Sequence, residues 1–126
     1  MRMGADLGRL LLRVTVGSIF IEHGTQKLFG FPAMQQGMQM PPLDMLMLTA
    51  GILEAVGGLL LLVGFLTRPV AFVLSGQMAV AYFMGHAPQS FFPATNFGDA
   101  AILFCFIFLY LVAAGPGAWS VDNARR

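Results

Sequence analysis

Glu22, His23, Lys27, Glu54, His86, Asn96 and Asp99 are the polar residues of this chain whose types and placement could do chemistry. They stand in or beside long apolar runs. Three of them are acids, set against one lysine and two histidines. With the histidines neutral, such a group is net negative in a low-dielectric place, so an acid should hold a proton or a histidine a charge. A group of that kind suits proton exchange coupled to a quinone or another small polar substrate. Glu54 and His23 are the candidates for the exchange itself. Lys27, Glu22, Asn96, Asp99 and His86 are candidates for holding the substrate. His23 and Lys27 are four apart and share a helix face, while Glu22 is turned by about 100° from His23. Each candidate also has a structural reading. Asp99 follows Asn96 by three, as an acidic N3 residue follows a helix cap. Lys27 could snorkel to the interface, and His86 could be an interfacial loop residue. Glu54 could pair with Lys27 or His23 and fix helix register. No Glu-x-x-His or His-x-x-x-His pattern is present, and Cys105 is the single cysteine, so no metal site is expected.

The elements that must position these residues follow from composition. Of 126 residues, 57% are hydrophobic and 10% are charged, and the formal net charge is +1. A soluble domain carries roughly 25% charged residues, so this chain uses lipid as its solvent. In lipid every backbone polar group must be satisfied internally, and continuous rather than alternating apolar runs select helices. The charge offers nothing to nucleic acid. The expected fold is all-α: one domain, a transmembrane four-helix bundle, with spans at Leu7 to Phe29, Leu43 to Leu66, Pro69 to Gly85 and Phe97 to Ala114. Breakers agree with that division: Phe31-Pro32, Pro41-Pro42, Thr67-Arg68-Pro69, His86-Ala87-Pro88 and Gly115-Pro116-Gly117. Arginines before the first apolar run resemble a signal peptide, but Glu22-His23 and Lys27 follow it in place of a small-residue cleavage site, and the segment reads as a retained span.

Arg2, Arg9, Arg13, Arg68, Arg125 and Arg126 fall on one side of this arrangement and Lys27 on the other, which places the N- and C-termini in the cytoplasm. Glu54 then lies near mid-bilayer, about 16 Å along its helix, and is the deepest of the candidates. A charge there costs about 2.5–3.5 kcal/mol on the insertion scale. The outer loops, Gly30 to Pro42 with Phe31, Met34, Met38 and Met40, and His86 to Asn96 with Phe91-Phe92, carry no ionised residue and are expected in the interface. Ala71, Ser75 and Ala79, and likewise Gly51 and Ala55, form ridges that let helices approach closely.

Several stretches resemble the DoxX family of small four-helix membrane proteins. They are Arg13 with Gly17 and His23-Gly24-Thr25-Gln26-Lys27-Leu28; Gly51-Ile-Leu-Glu54-Ala-Val-Gly57-Gly58 with Gly64-Phe-Leu-Thr67-Arg68; Asn96-Phe97-Gly98-Asp99; and Gly115-Pro-Gly117-Ala-Trp119-Ser120-Val-Asp122. The family usually has glutamate where this chain has Asp99, whose shorter side chain reaches less far. The family is named for a subunit associated with a terminal quinol oxidase, and some relatives are linked to thiosulfate:quinone oxidoreduction. The resemblance implies a multi-pass protein of a bacterial or archaeal inner membrane, associated with redox chemistry and with quinone as the implied cofactor. Its partners would be the lipid bilayer and other membrane subunits or further copies of itself. A quinone-linked subunit and a non-catalytic accessory or assembly subunit are both expected readings, and the sequence does not decide whether the protein is an enzyme.

Overall fold

The computed structural model describes residues 3–37 and 42–125. Arg2, Met38, Met40, Pro41 and Arg126, which carry parts of the sequence reading, lie outside the described residues. The described chain is all-helical: α1 (Met3–Phe29), α2 (Met45–Val63), α3 (Thr67–Ala81), α4 (Pro93–Asn96), α5 (Asp99–Ala114) and α6 (Val121–Ala124). A π turn (Tyr82–His86) and a 3-10 turn (Ala87–Gln89) prolong α3. Two stretches, Met45–Val63 and Thr67–Gln89, are long and apolar enough to cross a membrane. At 16 residues, α5 is apolar but shorter. The longest helix, α1, carries Asp6, Arg9, Arg13, Glu22 and Lys27 along its length.

The helix ends refine the expected boundaries by a few residues. Asp44 caps α2 by accepting from the Met47 N–H at 2.9 Å. The second apolar run continues to Leu66, but the helix stops at Val63 because Gly64 turns left-handed (φ 77°) and sends its N–H back to the Leu60 carbonyl at 2.8 Å. The third helix begins earlier than Pro69 and its helical path runs past Gly85 to Gln89. The reading of Asn96 as a cap with Asp99 at N3 is also corrected: Asn96 ends α4, Phe97 turns left-handed (φ 62°), and Asp99 opens α5 behind Gly98. Asp99 is exposed there and favours the helix dipole from the first turn.

The chain divides into two compact units, Met1–Leu66 with Pro116–Arg126, and Thr67–Gly115. In the first unit α1 and α2 pack antiparallel with glycines at the seam. A Cβ on Gly17 would lie 2.7 Å from the Gly58 carbonyl oxygen, and one on Gly58 would lie 2.7 Å from the Gly17 oxygen. A Cβ on Gly24 would lie 2.4 Å from the Ala55 nitrogen. Val16, Phe20 and Leu61 are buried around this seam. In lipid there is no hydrophobic drive between helices, so such close backbone packing supplies the association. In the second unit α3 and α5 pack antiparallel. Ala71, Leu74, Met78, Phe108 and Leu111 are buried, and the Ser75 hydroxyl donates to the Cys105 carbonyl at 2.9 Å. Outward positions such as Ile52, Val56 and Leu59 on α2, and Phe72, Val80, Leu103 and Phe106 on α3 and α5, are large, apolar and exposed, as a lipid-facing surface requires.

Both units close a helix C-terminus on the same plan. Arg13 of α1 donates from Nη1 to the Leu61 and Leu62 carbonyls at 2.9 and 3.2 Å, satisfying the last turn of α2. Arg68 of α3 donates from Nη1 to the Val112 and Ala113 carbonyls at 2.8 and 2.9 Å, satisfying the last turn of α5. Each guanidinium lies against a left-handed glycine: a Cβ on Gly64 would come within 2.6 Å of Arg13 Nη1, and one on Gly115 within 2.8 Å of Arg68 Nη2. Any side chain there would displace the arginine as well as strain the turn.

Candidate functional site

In the first unit the structure joins Lys27 to Glu54. The Lys27 ammonium donates to Glu54 Oε1 at 2.7 Å, with side-chain exposures of 21% and 6%. Glu54 is thus a buried acid with a cation beside it, in the middle of a membrane-capable helix. Gly51 makes the reach possible, since a Cβ there would press on the Lys27 Cβ at 3.2 Å and on Leu28 at 2.9 Å. His23, expected to join this pair, is exposed. The reason lies in the seam. Arg13, Gly17, Phe20, Gly24 and Lys27 recur every four and three residues along the contact face, and His23 stands one residue before it. Its i, i+4 relation to Lys27 is real, but the seam passes on Lys27's side. Glu22 is exposed, and its carbonyl accepts from the Thr25 hydroxyl at 3.1 Å.

In the second unit Asn96 is the hub. It is fully buried, and its amide donates to the Tyr82 hydroxyl at 3.1 Å and to the Ser90 carbonyl at 3.0 Å. Its side-chain oxygen accepts from the Gly98 N–H at 2.8 Å, and its own carbonyl lies 2.9 Å from His86 Nδ1. His86 and Tyr82 stack at 6.3 Å with their planes 26° apart. Asn96 therefore holds His86 in a fixed orientation, and His86 is more than a free loop residue. Gly98 clears the space, because a Cβ there would lie 2.5 Å from Tyr82 Cε1. Gly98→Ala is expected to push the Tyr82 ring aside at a cost of about 1–3 kcal/mol, visible as a changed near-ultraviolet circular dichroism signal and a lower unfolding midpoint.

The roles of two residues, Arg13 and Tyr82, escaped the reading of the sequence. Arg13 was counted among the charges in or next to the cytoplasm; its side chain is fully buried. Besides α2 it binds the segment after α5, from Nε to the Pro116 carbonyl at 2.9 Å and from Nη2 to the Trp119 carbonyl. That segment is fastened further by Asp122, whose N–H donates to the Gly64 carbonyl and whose Oδ1 accepts from the Leu66 N–H, both at 2.8 Å. Arg125 lies over the Phe65 ring at 5.2 Å. The signal for Arg13 was its place within Leu10-Leu11-Leu12-Arg13-Val14, a charge inside an apolar run. Tyr82 gave less notice: it lies four before His86 at the end of a span.

Comparison with known proteins agrees with the membrane reading. The chain matches the DoxX family model over residues 8–87. It is 44% identical over 115 residues to an uncharacterized protein of Haemophilus influenzae, covering 89% of this chain and 86% of the relative. It is 33% identical over 127 residues to the inner membrane protein YqjF of Escherichia coli, covering 94% of this chain and 92% of that one. It is 31% identical to the inner membrane protein YphA of Escherichia coli over 90% of this chain and 87% of that one. No solved structure matches.

Proposed function

Since the chain belongs to the DoxX family, we propose that it is an inner-membrane, quinone-linked subunit of a redox or respiratory complex. In this reading it crosses the bilayer four times, with both termini in the cytoplasm. The observation that carries it is the Lys27–Glu54 pair at 2.7 Å. An ammonium has three N–H donors, and one carboxylate partner is recorded for Lys27 among the described residues. A donor is therefore left for a quinone carbonyl, and Glu54 stands beside it as the group that holds or passes a proton. A lipophilic head group can reach a half-buried lysine from the membrane. A bound quinone would supply the electron-carrying chemistry, with the electrons exchanged through a partner subunit. The chain's own residues orient the head group by Lys27, place the proton at Glu54 Oε1 or Oε2, and shelter both between α1 and α2.

A second reading is favoured by the same pair together with its setting. Gly24 and Gly51 bring α1 and α2 close, and an ion pair in that contact fixes register without chemistry. The protein would then be a non-catalytic accessory subunit whose polar residues hold its shape for a partner. Glu54→Gln separates the two. On the quinone reading, protein purified from native membranes in mild detergent carries quinone, and the variant keeps its fold but loses at least about tenfold in quinone retention, a change of about 1.4 kcal/mol. On the accessory reading neither form carries quinone, and the variant loses stability or falls away from its partner subunits. Mass spectrometry of the co-purifying lipids and proteins reads both outcomes.

A further inference from the structure

His86 and Tyr82 offer a pair of hydrogen-bonding groups that the role given to Lys27 and Glu54 does not use. A carbonyl oxygen accepts and does not donate, so the 2.9 Å contact with the Asn96 carbonyl requires that His86 Nδ1 carry the hydrogen. In the neutral ring this leaves Nε2 with its lone pair, the arrangement by which a main-chain carbonyl orients an imidazole toward a ligand. The Tyr82 oxygen accepts from Asn96 Nδ2, so its own O–H remains to be given. No partner is recorded for Nε2 or for that O–H among the described residues. Both rings are half-buried, and both are anchored to the same fully buried asparagine.

The backbone is shaped around the pair. The turn holding both residues is a π turn, with the Ala87 N–H bonded to the Tyr82 carbonyl. Such turns interrupt an α-helix at a cost and are frequent where a side chain serves a function. Gly98 is bare against the Tyr82 ring. The surroundings also fix the kind of ligand. Residues 83–98 include no lysine, arginine, aspartate or glutamate, and Phe83, Phe91 and Phe97 stand 69%, 85% and 81% exposed. One acceptor and one donor in an aromatic setting, with the exposed Asp99 the next ionisable residue along the chain, fit a hydroxyl on an apolar molecule.

We propose that Tyr82 and His86 bind the hydroxyl of a lipophilic ligand, which donates to His86 Nε2 and accepts from the Tyr82 O–H. The inference does not rest on the role given to Lys27 and Glu54. The hydroxyl could be phenolic, as in a quinol, or aliphatic, as in a glycerol lipid, and the experiment has an arm for each. The full chain, labelled with 15N-histidine, is placed in phosphatidylcholine nanodiscs, a lipid without hydroxyls. It contains two histidines, so the exposed His23 is an internal control. A short-tailed benzoquinol, its dimethyl ether and monooleoylglycerol are titrated in turn. The expected result is a saturable shift of the His86 Nε2 resonance with the quinol or with monooleoylglycerol, none with the ether, and none at His23. Tyr82→Phe should weaken the titration by roughly fivefold to tenfold, the loss of one neutral hydrogen bond. The proposal is overturned if neither hydroxyl compound moves His86, if the ether moves it equally, or if Nε2 proves to carry the hydrogen. The wild-type titration stands whether or not the variant folds, and quinone retention in Glu54→Gln is read separately.

Discussion

Arg13→Met is expected to release residues 116–125 from α1 and α2 and to destabilise the protein by about 3–5 kcal/mol, the range for breaking a buried charged contact. The guanidinium is fully buried and donates to four carbonyls, those of Leu61, Leu62, Pro116 and Trp119. Methionine would fill much of the stem's volume and supply no donor. Each carbonyl left unpaired away from water costs about 1–3 kcal/mol. Water can reach some of them once the segment is released, which keeps the net loss below the sum. Lysine should rescue poorly, because a point charge with three donors cannot replace a planar fork that serves two chain segments. The measurements are the thermal unfolding midpoint in nanodiscs and the rate of tryptic cleavage at Arg125. Wild-type values for both in Arg13→Met would show that the arginine is a passenger in this corner of the fold.

That arginine shows where the sequence is a good guide and where it is not. Breakers located the helices to within a few residues, because a proline or a Gly-Pro-Gly acts locally and needs no tertiary partner. Gly64 was harder: the apolar run passes through it unbroken, and its left-handed turn is settled by the Arg13 guanidinium behind it and the Asp122 N–H on its carbonyl. The pairing of Glu54 with Lys27 was legible because a deep acid must find a cation, and few were available. The exposure of His23 was not, since a single helix face does not say where the neighbouring helix crosses it. The contacts of Arg13 were not legible, because counting basic residues says nothing of what each one binds, whereas a helix C-terminus inside the protein is itself a demand for donors. The π turn at Tyr82–His86 left no pattern in the sequence. It becomes intelligible once Asn96 is seen to hold both rings.

Gly24→Val is expected to separate α1 from α2 and, with them, Lys27 from Glu54. A Cβ at residue 24 would lie 2.4 Å from the Ala55 nitrogen and 2.7 Å from its Cα. These are backbone atoms, which cannot rotate away as a side-chain tip can. The helices must part or slide, and overpacking of this kind costs about 1–3 kcal/mol, occasionally more. The larger consequence is electrostatic. Lys27 spans to Glu54 at 2.7 Å because the seam is closed at Gly24 and Gly51. Once the seam opens, a buried carboxylate faces its cation across a gap. The coupling between the two charges, measured by the double-mutant cycle Lys27→Met and Glu54→Gln, should be present in the wild-type background and vanish in Gly24→Val. Gly8→Ala on the same helix is the matched control: nothing lies within 4 Å of its added Cβ, and replacing a mid-helix glycine should gain about 0.5–1 kcal/mol. Equal stabilities for Gly24→Val and Gly8→Ala, or an undiminished coupling, would mean that the charge pair holds the helices rather than the glycines holding the pair. The order of cause at the site would then be reversed, with Glu54 the anchor of the fold and less free to serve a ligand.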